Sequence, residues 1–129
     1  LFVDDEPALR SGMEAFGRLR GFTVLTAGDG AEALSRTRAP GVDAVVCDLR
    51  MPGMDGYAFH DQLRAERPGL AARTVFVTGD VVSNETRDTV LRQPVLAKPF
   101  SFDQIEEAVI ALMRGAPYRA PERPASVPR

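Results

Sequence analysis

Five short apolar runs rich in β-branched residues restrict the fold of this chain more than any other feature. They read LFV (1–3), FTVLTA (22–27), DAVVCD (43–48), TVFVT (74–78) and PVLA (94–97). A strand with one face in water alternates apolar and polar side chains. These runs do not alternate, which is the pattern of parallel strands covered by helices on both faces.

The segments between them carry helical periodicity. Pro7 stands at a helix start, with Leu9, Met13 and Phe16 on one face; Asp29 with Glu32 is a capping-box pattern before AEAL. Asp55 precedes a helix carrying Phe59 and Leu63, and Ser101 with Gln104 opens another on which Ile105, Ala108, Val109 and Leu112 share a face. Five strands alternating with five helices, one of them between Thr78 and Lys98, imply βαβ units and right-handed crossovers. The expected fold class is α/β, a doubly wound parallel sheet with helices on both faces. At 129 residues the chain has the size of one domain. The reading assigns residues 1–114 to that domain. The segment 115–129, GAPYRAPERPASVPR, has four prolines, three arginines and no periodic apolar face, and is read as a linker or disordered tail.

Charge and composition exclude several function classes. A net charge of -2 supplies no basic field for the phosphate backbone, so direct nucleic-acid binding is not expected. No apolar run reaches the roughly 18 residues a membrane-crossing helix needs, and no membrane contact is expected of this domain. Cys47 is the only cysteine and lies among apolar neighbours, which points to a buried core residue and a reducing cytoplasm. His60 is the only histidine, which removes any two-histidine metal site; it is read as a solvent-facing helix residue. The opening LFVDDE is short for a first strand and looks clipped, as though a few residues preceded it.

In open parallel sheets the working residues gather at the carboxyl ends of the strands. Here those ends are Asp4-Asp5, Asp48, Thr78 and Lys98-Pro99. A single aspartate at a strand end is as well explained by a cap or a turn. Three are different: if the first and third strands are neighbours, the carboxylates crowd one another and demand a cation or a raised pKa. Oxygen ligands without Cys or His suit Mg²⁺, with water and phosphate completing its shell. Lys98 is the one lysine beside fifteen arginines. A compact ammonium and the Thr78 hydroxyl would supply donors to a phosphoryl oxygen where a longer, planar guanidinium would not.

These elements, VDDE at 3–6, CDLRMPGMDG at 47–56, VTGD at 77–80 and LAKPF at 96–100, together resemble the receiver domain of two-component response regulators over about residues 1–114. The resemblance implies a flavodoxin-like strand order 2-1-3-4-5. It implies that Asp48 is the phosphoacceptor, attacking the phosphorus of a phosphohistidine on a histidine kinase or phosphotransfer domain. It assigns Mg²⁺ to Asp5, Asp48 and the Arg50 backbone carbonyl, with Asp4 acting through water. Lys98 and Thr78 would contact the phosphoryl group, and Thr78 would move toward it on phosphorylation to signal to a downstream protein target. Pro52, Gly53 and Gly56 would shape the loop after Asp48, Gly79 would leave room beside Thr78, Lys98-Pro99 would be cis, and Arg50 with Asp80 would tune the phosphate lifetime. Such a domain catalyses its own phosphotransfer and autodephosphorylation without being a conventional turnover enzyme, and can form a homodimer.

Two departures stand out. Position 95, where many regulators carry Tyr or Phe, is Val95, and the segment between Thr78 and Lys98 is short for the family. The phrasing around VTGD and PVLAKPF leans toward receivers appended to hybrid kinases. The alternative is a Mg²⁺-dependent phosphohydrolase with an aspartate nucleophile, which normally needs a second acid two residues further on, where this chain has Arg50.

Overall fold

The computed structural model describes residues 1–80 and 92–115. Its elements in chain order are β1 (Phe2–Val3), α1 (Pro7–Leu19), β2 (Thr26–Ala27), α2 (Gly30–Thr37), β3 (Val45–Asp48), α3 (Gly56–Glu66), α4 (Pro68–Ala71), β4 (Thr74–Thr78), β5 (Val95–Ala97) and α5 (Phe102–Met113). The strands form one sheet in the order β2-β1-β3-β4-β5, and every pairing is parallel. The α/β class and the strand order therefore agree with the sequence reading.

The apolar runs do not alternate because both sheet faces are covered. Val3, Val45, Cys47, Phe76 and Val95 point into one core with Leu34 of α2, Phe59 and Leu63 of α3 and Leu70 of α4. Phe2, Val46, Val75, Val77 and Leu96 point the other way, onto Met13 and Phe16 of α1 and Ile105 and Ala108 of α5. Successive residues of one strand thus feed two different cores. Each fully buried Leu, Val or Phe contributes about 1.5–3 kcal/mol relative to exposure.

Helix starts follow the sequence signals with one variation. Asp29 accepts from the Glu32 N–H at 2.8 Å, but the Glu32 carboxylate takes the Gly28 N–H at 2.8 Å, one residue before the cap. Asp55 accepts from the Ala58 N–H at 2.9 Å. Ser101 and Gln104 form the complete reciprocal capping box.

Three expectations need correction or restriction. The second strand was expected over 22–27, but only Thr26 and Ala27 enter a ladder, because β1 offers partners to them alone through Phe2 and Val3. His60 does not face solvent. It is 5% exposed, its Nε2 lies 3.0 Å from the Ala71 carbonyl, and its ring meets Phe76 edge-on at 5.1 Å. The polar character of histidine suggested an outward position, but its ring edge finds an acceptor on α4, a short helix the sequence reading did not include. The helix expected between Thr78 and Lys98 falls largely outside the described residues. Cys47 is fully buried as expected, and burial, followed by the nearby carboxylates of Asp48, Asp4 and Asp55, pushes its thiol well above its usual pKa.

Candidate functional site

The central strands bring three carboxylates to one end of the sheet. Phe2 and Val3 of β1 pair with Val46 and Cys47 of β3, so Asp4, one residue beyond β1, comes level with Asp48 at the end of β3. Single oxygens of Asp4, Asp5 and Asp48 all lie within 4.8 Å of one another. Asp4 and Asp48 are buried, at 0% and 3% exposure, and Asp5 is exposed.

Lys98 reaches the same place from the sheet edge. Its backbone N–H donates to the Thr78 carbonyl at 2.8 Å, continuing the β4–β5 ladder one rung past Ala97. Its Nζ donates to Asp48 Oδ2 at 2.8 Å and to Asp4 Oδ2 at 3.2 Å. Burial works against the ammonium, but the hydrogen bond and charge of Asp48, then those of Asp4, outweigh it and hold the Lys98 pKa above its usual value. The Lys98-Pro99 peptide is cis.

The second carboxylate oxygens of Asp48 and Asp4 are held by the local backbone. Asp48 Oδ1 accepts from the Arg50 N–H at 3.0 Å, and Asp4 Oδ1 accepts from the Glu6 N–H at 2.9 Å. Gly56 fits where no side chain could: a Cβ there would lie 2.7 Å from the Asp48 carbonyl oxygen and 2.8 Å from Leu49 Cα, both backbone atoms. Its N–H donates to the Leu49 carbonyl at 2.9 Å, seating the start of α3 directly against the end of β3. Gly53, with φ +77°, makes the turn of the intervening loop.

Thr78 is buried at the end of β4, where its hydroxyl accepts from the Asp80 N–H at 3.1 Å. Asp80 in turn pairs with the Arg50 guanidinium, joining the loops that follow β3 and β4 across an exposed rim. A cleft of about 710 Å³ adjoins this rim, lined by Arg50, Met51, Pro52, Tyr57, Thr78 and Asp80, with the three clustered carboxylates outside its walls. Val95 lies in the core at 6% exposure.

The donor set fits a divalent cation. It consists of hard oxygen ligands, and the three carboxylates less the Lys98 ammonium leave two negative charges, equal to the charge such an ion brings. Asp4, Asp5, Asp48 and Lys98 are therefore gathered into one group, with Thr78 at the end of β4 and Arg50 on the loop after β3 beside it. Arg10, which the sequence reading did not single out, also reaches this region: its Nη1 donates to the Asp4 backbone carbonyl at 2.6 Å. An arginine inside an amphipathic helix looks like any surface residue in sequence, and only the fold brings it back to Asp4.

Known proteins share both this fold and this sequence. The chain is 34% identical over 116 residues to the transcriptional activator protein PfeR of Pseudomonas aeruginosa, covering 88% of the chain and 37% of that protein. It is 33% identical over 114 residues to the probable transcriptional regulatory protein TcrX of Mycobacterium tuberculosis, covering 88% of the chain and 49% of that protein. The chain thus spans less than half the length of these two relatives. Among solved structures, the response regulator TrrA of Thermotoga maritima, determined in complex with Mg²⁺-BeF, matches with a TM-score of 0.72 at 26% identity over 86% of this chain and 95% of that one. A response regulator receiver protein from Sinorhizobium medicae matches with a TM-score of 0.76 at 27% identity, over 88% and 91% of the two chains. The family model of the response regulator receiver domain matches residues 1–110, over the same strand ends that carry the acidic group and its lysine, and the chain belongs to that family.

Proposed function

We propose that this domain accepts a phosphoryl group from a histidine kinase or phosphotransfer domain onto Asp48 and changes conformation to signal to a downstream protein. The observation that carries the reading is the Lys98 ammonium bonded at once to Asp4 and Asp48, with the oxygens of Asp4, Asp5 and Asp48 within 4.8 Å of one another. An Asp48 carboxylate oxygen attacks the phosphorus, the P–N bond of the phosphohistidine breaks as the P–O bond forms, and the imidazole, already protonated on its other ring nitrogen, leaves neutral with the bonding pair.

Asp5, Asp48 and the Arg50 backbone carbonyl would hold Mg²⁺, with Asp4 acting through water. The ion supplies charge screening for the approach of one anion to another. Lys98 moves from carboxylate partner to phosphoryl partner, since its ammonium can follow the added negative charge without changing protonation. Thr78 gives up the Asp80 N–H and turns its hydroxyl toward the phosphoryl oxygens. Arg50 and Asp80, at the solvent side, govern the access of hydrolytic water and hence the lifetime of the acyl phosphate. A cytoplasmic setting suits this chemistry.

The test is incubation of the full chain with acetyl phosphate and Mg²⁺. One acid-stable, base-labile phosphate per chain is expected, absent in Asp48→Asn. Stoichiometric labelling of that variant refutes the assignment of Asp48. Continuous turnover of substrate, instead of one bound phosphate, would favour a phosphohydrolase.

A further inference from the structure

The turn that presents Asp4 and Asp5 lacks a backbone bond that the sheet would ordinarily provide. In the parallel ladder between β1 and β2, the N–H groups of Phe2 and Asp4 donate to the carbonyls of Leu25 and Ala27, at 2.8 and 3.1 Å. The next rung would run from the Asp29 N–H to the Asp4 carbonyl. It is not formed: α2 begins at this point, with Asp29 in the cap position, and the preceding Gly28 N–H is taken by the Glu32 carboxylate. Among the described residues no backbone N–H reaches the Asp4 carbonyl. The Arg10 guanidinium takes it instead at 2.6 Å, from the end of the first turn of α1.

We infer that Arg10 is a positioning residue for the divalent-cation group, standing in for the missing rung and fixing the turn from which Asp4 and Asp5 project. This rests on the reading of Asp5 and Asp48 as cation ligands. Charge and position act in opposite directions here, which makes the inference decidable. A cation beside three carboxylates disfavours Mg²⁺ by repulsion, so removing Arg10 would tighten binding if its charge were all that mattered. If it holds the turn, its removal weakens binding, as loss of an outer-shell partner does.

The experiment is calorimetric titration of Mg²⁺ into the full chain, wild type and the variants Arg10→Met and Arg10→Lys, at low and high salt. It is accompanied by hydrogen exchange at Glu6, whose N–H is bonded to Asp4 Oδ1. Arg10→Met should bind Mg²⁺ at least about tenfold more weakly. The deficit should persist at high salt, the Glu6 amide should exchange faster, and Arg10→Lys should recover part of both effects. Tighter or unchanged Mg²⁺ binding in Arg10→Met, with unchanged Glu6 exchange, overturns the inference. If wild type does not bind Mg²⁺, the reading of the site fails, and the Glu6 exchange still decides whether Arg10 holds the turn.

Discussion

Two ion-paired groups sit at the same end of the sheet and differ in almost everything but charge. The inner one joins Lys98 to Asp4 and Asp48, whose carboxylate side chains are 0% and 5% exposed. The outer one joins Arg50 to Asp80 with side chains 80% and 49% exposed. The inner group holds its charges away from water, so each depends on the others; the outer pair keeps its solvent and gains little by contact. Burial, more than the number of charges, therefore decides which group the fold depends on.

The largest effect is expected from breaking the inner group. Lys98→Ala leaves two buried carboxylates facing each other and should cost about 3 kcal/mol in urea unfolding without divalent ions. Added Mg²⁺ should restore part of that loss. A cost no greater than that of the outer pair would end the distinction.

Next comes the seat of α3. Gly56→Ala places a methyl group against the backbone of Asp48 and Leu49, and overpacking of this kind costs about 1–3 kcal/mol. Labelling at Asp48 should slow as well, because the end of β3 must shift. Unchanged stability and labelling would mean that the contact relaxes freely.

A smaller effect is expected from His60, which is buried but belongs to neither group. Burial, the leading cause, lowers its pKa in the folded state below the ordinary value. The unfolded chain then binds its proton first as pH falls. The contribution of His60 is complete above the unfolded pKa of about 6.5 and is lost as pH drops through the folded value. Chemical denaturation of wild type and His60→Gln between neutral pH and pH 5 should show a shallower decline in the variant. Parallel curves would remove His60 as a source of the slope.

The smallest effect belongs to the outer pair. Arg50→Ala or Asp80→Ala should change stability by about 0.5 kcal/mol or less, and raised salt should erase the difference. The labelled state should respond more than the fold does, through a changed decay rate of the phosphate measured after removal of the donor.

Much of the inner group was legible in the sequence because strand ends can be read from apolar runs, and a parallel topology brings those ends together. The lone Lys98 could be singled out for the same reason: its chemistry was unlike that of every other cation in the chain. What stayed hidden depends on contacts between distant elements. The burial of His60 needed α4, whose four residues carry too little periodicity to be seen. The extent of β2 depended on how many residues of β1 offer it a partner. Arg10 depended on a rung that the onset of α2 removes. Each is a matter of what lies opposite, which a single strand or helix pattern does not encode.

The ammonium stands just past β5, an edge strand that among the described residues only β4 pairs with, while the aspartates stand on or next to strands flanked on both sides. A shift in electrostatic pull at Asp48 therefore tugs on a strand at the edge of the sheet, held there by one neighbour. The interior can stay still while the border moves.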